Sequence, residues 1–190
     1  MKVGLYFGSF NPIHHGHLII ASHVVNTTET DQVWFVVSPQ NPLKNTKSLL
    51  NEHHRKLLVE LAVENDDRLR CSAIEFKLPR PSYTIDTLAY LSETYPQHTF
   101  HIIMGSDSFK NLPKWKNFQK ILNDYPLFIY ERPGFPVKQS ELTGSIKKFD
   151  APLLQISATF IRKLVSEKKS IRYLVPEVVC KEIEQQNFYA

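Results

Sequence analysis

Six short apolar runs, over residues 2–7, 32–37, 69–74, 99–104, 127–130 and 153–156, are rich in β-branched and aromatic residues and bounded by Gly, Pro or Ser. Runs of this kind suit strands that are covered on both faces. Between them, residues 16–25, 49–64, 85–94, 115–122, 159–166 and 176–186 carry apolar side chains at three- and four-residue spacing, the period of a helix with one buried face. The alternation predicts an α/β fold, a Rossmann-like doubly wound parallel sheet with helices on both faces. In such a sheet, ligands bind at the carboxyl ends of the strands, near the point where strand order reverses.

The 190 residues are read as one domain over 1–190, with a C-terminal helical part from residue 157 or so to 190 packed on it. With 42% hydrophobic and 22% charged residues, the composition is that of a globular chain and argues against disordered, fibrous or membrane-embedded classes. The opening residues run straight into Gly8-Ser9-Phe10-Asn11-Pro12, a strand and turn rather than a signal peptide, so a cytoplasmic location is expected. Cys71 and Cys180 are too few for a disulfide framework and are expected to be reduced thiols. A net charge of +4 favours anionic ligands but falls short of a nucleic-acid signature. Lys147-Lys148 and Lys168-Lys169 read as solvated surface. Residues 38–48, with two prolines, two asparagines, two lysines and no periodicity, read as a lid over a charged ligand.

Gly8-Ser9-Phe10-Asn11-Pro12-Ile13-His14-His15-Gly16-His17 falls between the first strand and the first helix, where an α/β sheet places its phosphate sites. Gly8 is expected to let the chain turn, and Pro12 to hold Asn11 extended. Gly16 keeps the helix start free of a side chain. His14 and His17, three residues apart, can point the same way at a helix end that already favours an anion. A zinc site on His14, His15 and His17 is disfavoured, because adjacent side chains diverge and no Cys, Asp or Glu lies in the motif. His15, His23, His53, His54, His98 and His101 read as structural. Neither a GxxxxGK[ST] loop nor a GxGxxG turn is present. Downstream, Ser157 or Thr159 is a natural N-cap, which places Arg162 in the first helical turn beside free amides. Asp107 after the fourth strand either caps a helix or accepts from ribose hydroxyls. Thr84 can cap the helix that follows it, where amides would favour a carboxylate over a neutral amide.

His14-x-Gly16-His17, preceded by Gly8-x-Phe10-x-Pro12, resembles the HxGH nucleotidyltransferase superfamily. Residues 156–162, Ile-Ser-Ala-Thr-Phe-Ile-Arg, resemble its ISSTxxR motif, with Ala158 replacing the second Ser. Ser82-Tyr83-Thr84-Ile85-Asp86-Thr87-Leu88 and Leu112-Pro113-Lys114-Trp115 resemble the SYTxxTL and LxxW stretches of bacterial nicotinate-nucleotide adenylyltransferases. Residues 38–44 resemble that family's Pro-rich loop, one of its prolines being replaced by Leu43 or Asn41. The resemblance implies transfer of AMP from ATP to nicotinate mononucleotide, giving deamido-NAD and pyrophosphate. It implies charge stabilisation by His14, His17, Lys44 and Arg162, and ATP binding by Gly8, Ser9, Phe10, Gly16, Gly105, Asp107, Ser157 and Thr159. Tyr83, Thr84, Trp115, Lys116 and Arg132 would hold the mononucleotide, and Mg²⁺ would ride on the ATP phosphates. The expected partners are ATP and nicotinate mononucleotide, without nucleic acid or membrane; a homo-oligomer is compatible with the sequence. Two alternatives stay open: another acceptor, such as nicotinamide mononucleotide or phosphopantetheine, and a non-catalytic nucleotide or nucleic-acid binder.

Overall fold

The computed structural model describes residues 1–40, 48–142, 145–152 and 154–190. Strands β1 (Lys2–Gly8), β2 (Gln32–Val37), β3 (Leu69–Ser72), β4 (Thr99–Gly105), β5 (Leu127–Tyr130) and β6 (Ile146–Phe149) form one sheet in the order β3-β2-β1-β4-β5-β6. Every neighbouring pair is parallel. Chain order therefore reverses between β1 and β4, and the crevice outside such a reversal is where this architecture binds its ligands. Gly8 and Gly105 are the last residues of those two strands.

Two apolar cores lie on opposite faces of the sheet, as the period-2 alternation of a strand requires. Val33, Phe35 and Val37 of β2 point to one face and Trp34 and Val36 to the other. The first face is covered by α1 (His15–Thr27), α2 (Glu52–Val63), α6 (Ala158–Ser166) and α7 (Glu177–Gln185), through Ile20, Val24, Leu58, Val59, Ile161, Val179 and Ile183. The second is covered by α3 (Thr84–Thr94) and α5 (Phe118–Asp124), through Ile85, Leu88, Leu91 and Ile121. A short helix, α4 (Ser106–Asn111), follows β4 directly. No helix among the described residues is long and apolar enough to cross a membrane.

Several boundaries differ from the sequence expectation. The sixth strand is Ile146–Phe149, not residues 153–156; residues 154–156 form no strand, and Leu153 lies outside the described residues. Its two central residues, Lys147 and Lys148, are exposed on an edge strand, where charge protects the open ladder and hides the strand from an apolar-run search. These lysines pair with Glu29 and Glu131, and Lys169 pairs with Glu167. The third strand stops at Ser72, and a 3₁₀ turn follows at Ile74–Lys77. The helix expected from residue 115 begins only at Phe118, because Asn117 adopts a left-handed φ of 53°. Trp115 and Lys116 stay in the loop before it, which a 3₁₀ turn at Leu112–Lys114 leads into.

His101 of β4 has the structural role its context suggested. It stands opposite Gly4 of β1, and a Cβ on Gly4 would lie 3.0 Å from its Nε2. That nitrogen shares a 2.9 Å hydrogen bond with the Thr30 hydroxyl, and the ring packs on Phe128. Burial lowers its pKa to about 4. The unfolded chain therefore takes up this proton near pH 6.5 and the folded chain only near pH 4, so stability present at pH 7 is lost as pH falls through that window. His101→Gln, which can keep the bond to Thr30, should lose roughly 1–2 kcal/mol less stability than the parent between pH 7 and pH 5. Urea unfolding of both proteins at the two pH values tests this; parallel pH profiles would contradict it.

Candidate active site

The turn after β1 is built around an aromatic ring. Phe10 takes a left-handed φ of 44°, and its side chain folds back against Gly8, where a Cβ would lie 2.9 Å from the ring. The positive φ of the turn thus falls on Phe10, and Gly8 lets the chain turn by leaving space for the ring. Such a φ at a bulky residue is strained and holds only where packing dictates it. Here Tyr6, Phe35 and His17 meet the ring edge-on at 5.9, 5.4 and 5.1 Å. The Asn11–Pro12 peptide is cis.

His14 is the N-cap of α1 in extended conformation, and His17 is its third helical residue. Their rings stack at 3.7 Å with 23° between planes, and the His14 amide donates to Nδ1 of His17 at 3.3 Å. A Cβ on Gly16 would come within 3.0 Å of Nδ1 of His14, so the glycine is what lets the first imidazole lie against the helix start. His14 is buried, and its Nδ1 has no hydrogen-bond partner among the described residues. Burial, with Arg132 and His15 adding to it, lowers its pKa to about 4, so the ring is neutral at pH 7. His15 instead donates its amide to the Leu174 carbonyl and does not line the cleft.

A network of donors braces this turn from behind. Arg55 of α2 is fully buried and donates to the carbonyls of Ser9, Ser38, Pro39 and Leu50 at 2.7–2.8 Å. The Asn11 side chain binds the Ser48 carbonyl and the Leu50 amide, and accepts from the Tyr189 hydroxyl at 2.9 Å. Ser157 caps α6, accepting from the Phe160 amide. Arg162 is the fifth residue of that helix, beyond the first turn where the sequence reading put it. Its guanidinium donates to the Asn11 carbonyl at 2.8 Å and to the Thr159 hydroxyl at 3.3 Å, and it is not among the residues lining the cleft.

The cleft, of about 600 Å³, opens at the β1/β4 reversal. Gly8, Ser9, Phe10, His14, His17, Ser157 and Thr159 line one end. Gly105, Asp107 and Arg132 line its side: Arg132 donates to Oδ2 of Asp107 at 3.0 Å, while Oδ1 is buried without a partner among the described residues. A Cβ on Gly105 would stand 2.5 Å from that oxygen. Tyr83, Thr84, Trp115 and Lys116 line the other end, where the Lys116 ammonium pairs with Asp86 and lies over the Tyr83 ring at 4.8 Å. Thr84 does not cap α3 as expected; it is the first helical residue, Tyr83 is the N-cap, and the Tyr83 side chain makes no capping hydrogen bond. Gly16 lies behind the wall, and Lys44 falls outside the described residues.

The sequence reading missed several lining residues. Tyr6 and Tyr130 join hydroxyls at 2.9 Å beneath the imidazoles, and burial raises both phenols above their ordinary range. Glu75, Ser38 and Ser82 also line the cleft. Thr87, which does not itself line the cleft, is the legible clue to Glu75: a polar residue on the buried face of α3 beside Leu88 and Leu91, whose hydroxyl needs a buried acceptor.

Comparison with known proteins agrees with this geometry. The cytidylyltransferase-like family profile matches residues 5–164. A relative from Cytophaga hutchinsonii, named a probable nicotinate-nucleotide adenylyltransferase, is 50% identical over all of this chain and 99% of its own. A relative of the same name from Flavobacterium johnsoniae is 47% identical, also over all of this chain and 99% of its own. The chain belongs to the cytidylyltransferase-like family, on its nicotinate-nucleotide adenylyltransferase branch. A solved Plasmodium falciparum nicotinic acid mononucleotide adenylyltransferase, complexed with NaAD, shares the fold at a TM-score of 0.83 and 22% identity, covering 99% of this chain and 97% of that one. For a nucleotidyltransferase of this branch, the contact between Gly16 and His14 yields a test. Gly16→Ala should leave stability unchanged or raise it by up to about 1 kcal/mol through helix propensity. Turnover should fall about tenfold, because the added carbon displaces the imidazole. Paired thermal melts and steady-state rates read both effects, and full turnover would exclude a tight fit at His14.

Proposed function

We propose that the chain transfers AMP from ATP to nicotinate mononucleotide, forming deamido-NAD and pyrophosphate in NAD biosynthesis. The observation that carries this reading is the pair of stacked imidazoles at one end of the cleft, facing an uncapped helix start at the other. A mononucleotide phosphate is already anionic near neutral pH and needs no general base. Its oxygen forms a bond to the α-phosphorus as the bond to pyrophosphate breaks, and catalysis rests on positioning and charge stabilisation.

In this reading the triphosphate lies between His14 and His17 on one side and the α6 start, with Ser157 and Thr159, on the other. His14, neutral in the free protein, offers an N–H to a phosphate oxygen. Ser9, Phe10 and Gly105 border the nucleotide, and the Asp107–Arg132 pair stands at its ribose edge. Tyr83, Thr84, Trp115 and Lys116 receive the pyridine mononucleotide, whose carboxylate meets the uncapped amides of α3. Arg162 acts from behind the wall, and Lys44 is assigned to the phosphates on the family pattern alone. The hydroxyl-rich phosphate end, with Asp107 already paired to Arg132, fits Mg²⁺ carried in by the nucleotide rather than held by a carboxylate cage. When bound, Mg²⁺ supplies neutralisation of phosphate charge. The cytoplasmic location expected from the sequence accords with this chemistry.

Pyrophosphate release from ATP with nicotinate mononucleotide, nicotinamide mononucleotide and phosphopantetheine in parallel tests the acceptor. Nicotinate mononucleotide should give the highest kcat/KM, and a higher value with either competitor would reassign the substrate. His17→Ala should lower kcat by roughly 10²–10³, the scale for one preorganised donor at developing charge. A folded variant with near-normal turnover would remove His17 from the mechanism.

A further inference from the structure

The mononucleotide end of the cleft contains a carboxyl group that the reaction above does not use. Glu75 stands on the 3₁₀ turn after β3, 3% exposed, with its side chain at the cleft wall. Its Oε2 accepts from the Ser82 hydroxyl at 2.9 Å and its Oε1 from the Thr87 hydroxyl at 3.0 Å. The Ser38 hydroxyl, at the end of β2, is a further donor. Thr87 also reaches back to the Tyr83 carbonyl at 3.3 Å.

Ser82 and Thr87 flank Tyr83 and Thr84, the residues that line the pyridine end. One carboxyl group thus ties both sides of that turn to the end of β3. A buried carboxylate is costly unless its oxygens are satisfied, and a packed apolar residue would fill the space at less cost. Satisfied by hydroxyls from separate segments, it becomes a rigid spacer that fixes their mutual distances. Burial raises its proton affinity and the hydroxyls oppose that rise, as expected of a group held by donors alone.

We propose that Glu75 is a positioning residue, which through Ser82 and Thr87 sets the Tyr83–Thr84 turn and hence the α3 amides that meet the mononucleotide carboxylate. This rests on reading that end of the cleft as the mononucleotide site. It predicts an effect chiefly on one substrate, because among the described residues the hydroxyls that reach Glu75 are those of Ser38, Ser82 and Thr87, none of them in the imidazole pair or in α6.

Calorimetric titration of the whole protein with nicotinate mononucleotide, and separately with a non-hydrolysable ATP analogue, tests this without requiring turnover. Glu75→Ala should weaken mononucleotide binding about tenfold and change binding of the ATP analogue less than about twofold. Glu75→Gln, which keeps the size and one acceptor oxygen, should bring the mononucleotide affinity back to within about threefold of the parent. If the alanine variant does not fold, Thr87→Val removes one donor at constant shape and should weaken the mononucleotide alone by about threefold. Equal losses for both ligands, no loss for either, or a glutamine variant as weak as the alanine variant would overturn the proposal. A parent protein that binds the mononucleotide but releases no pyrophosphate overturns the catalytic reading and leaves this one standing; a parent that binds no mononucleotide overturns both.

Discussion

The guanidinium of Arg55 is the interaction on which the site depends. It is fully enclosed, and four backbone carbonyls satisfy it in place of a carboxylate. Those carbonyls belong to the turn after β1, the chain leaving β2 and the approach to α2, so one planar group fixes three loops at the sheet's carboxyl edge. Its fork of donors suits this task in a way a lysine ammonium would not. Removing it would strand several buried acceptors, each costing about 1–3 kcal/mol. The charge, although lowered in proton affinity by burial, persists because a guanidinium does not deprotonate in proteins. It therefore adds positive potential directly behind the turn that carries His14 and His17.

Asn11 plays the matching role from the other side. It accepts from Arg162 of α6 and from Tyr189 near the last residues, and it binds the Ser48–Leu50 segment. Helix α6 and the segment that follows α7 thus hold the first loop of the chain. The arrangement explains why Arg162 has a place in the motif without reaching the cleft: it fixes the loop whose histidines do.

The alternation of short apolar runs with amphipathic segments made the parallel sheet legible, because strands buried on both faces cannot hide their composition. The edge strand β6 escaped because only one of its flanks is paired and its centre is Lys147-Lys148. The first-turn histidines were legible from spacing, since three residues on a helix start bring side chains to one side. Thr84 was misread because a hydroxyl before a helix suggests a cap, whereas the helix had already begun. Arg55 belongs to no motif in the sequence, yet it precedes Leu58 and Val59 by three and four positions and so lies on the buried face. Glu75 left no local signal, since its partners are brought to it by tertiary packing.

The stacking of His14 on His17 carries a thermodynamic corollary. The enclosed ring is kept proton-free mainly by burial, because a charge there would carry a desolvation penalty. An arriving polyanion reverses that penalty, so ligand occupancy and hydronium uptake are linked, and each must strengthen the other by the same factor. The heat of nucleotide association would then vary with the ionisation enthalpy of the buffer, making the medium a reactant in the first step of the cycle.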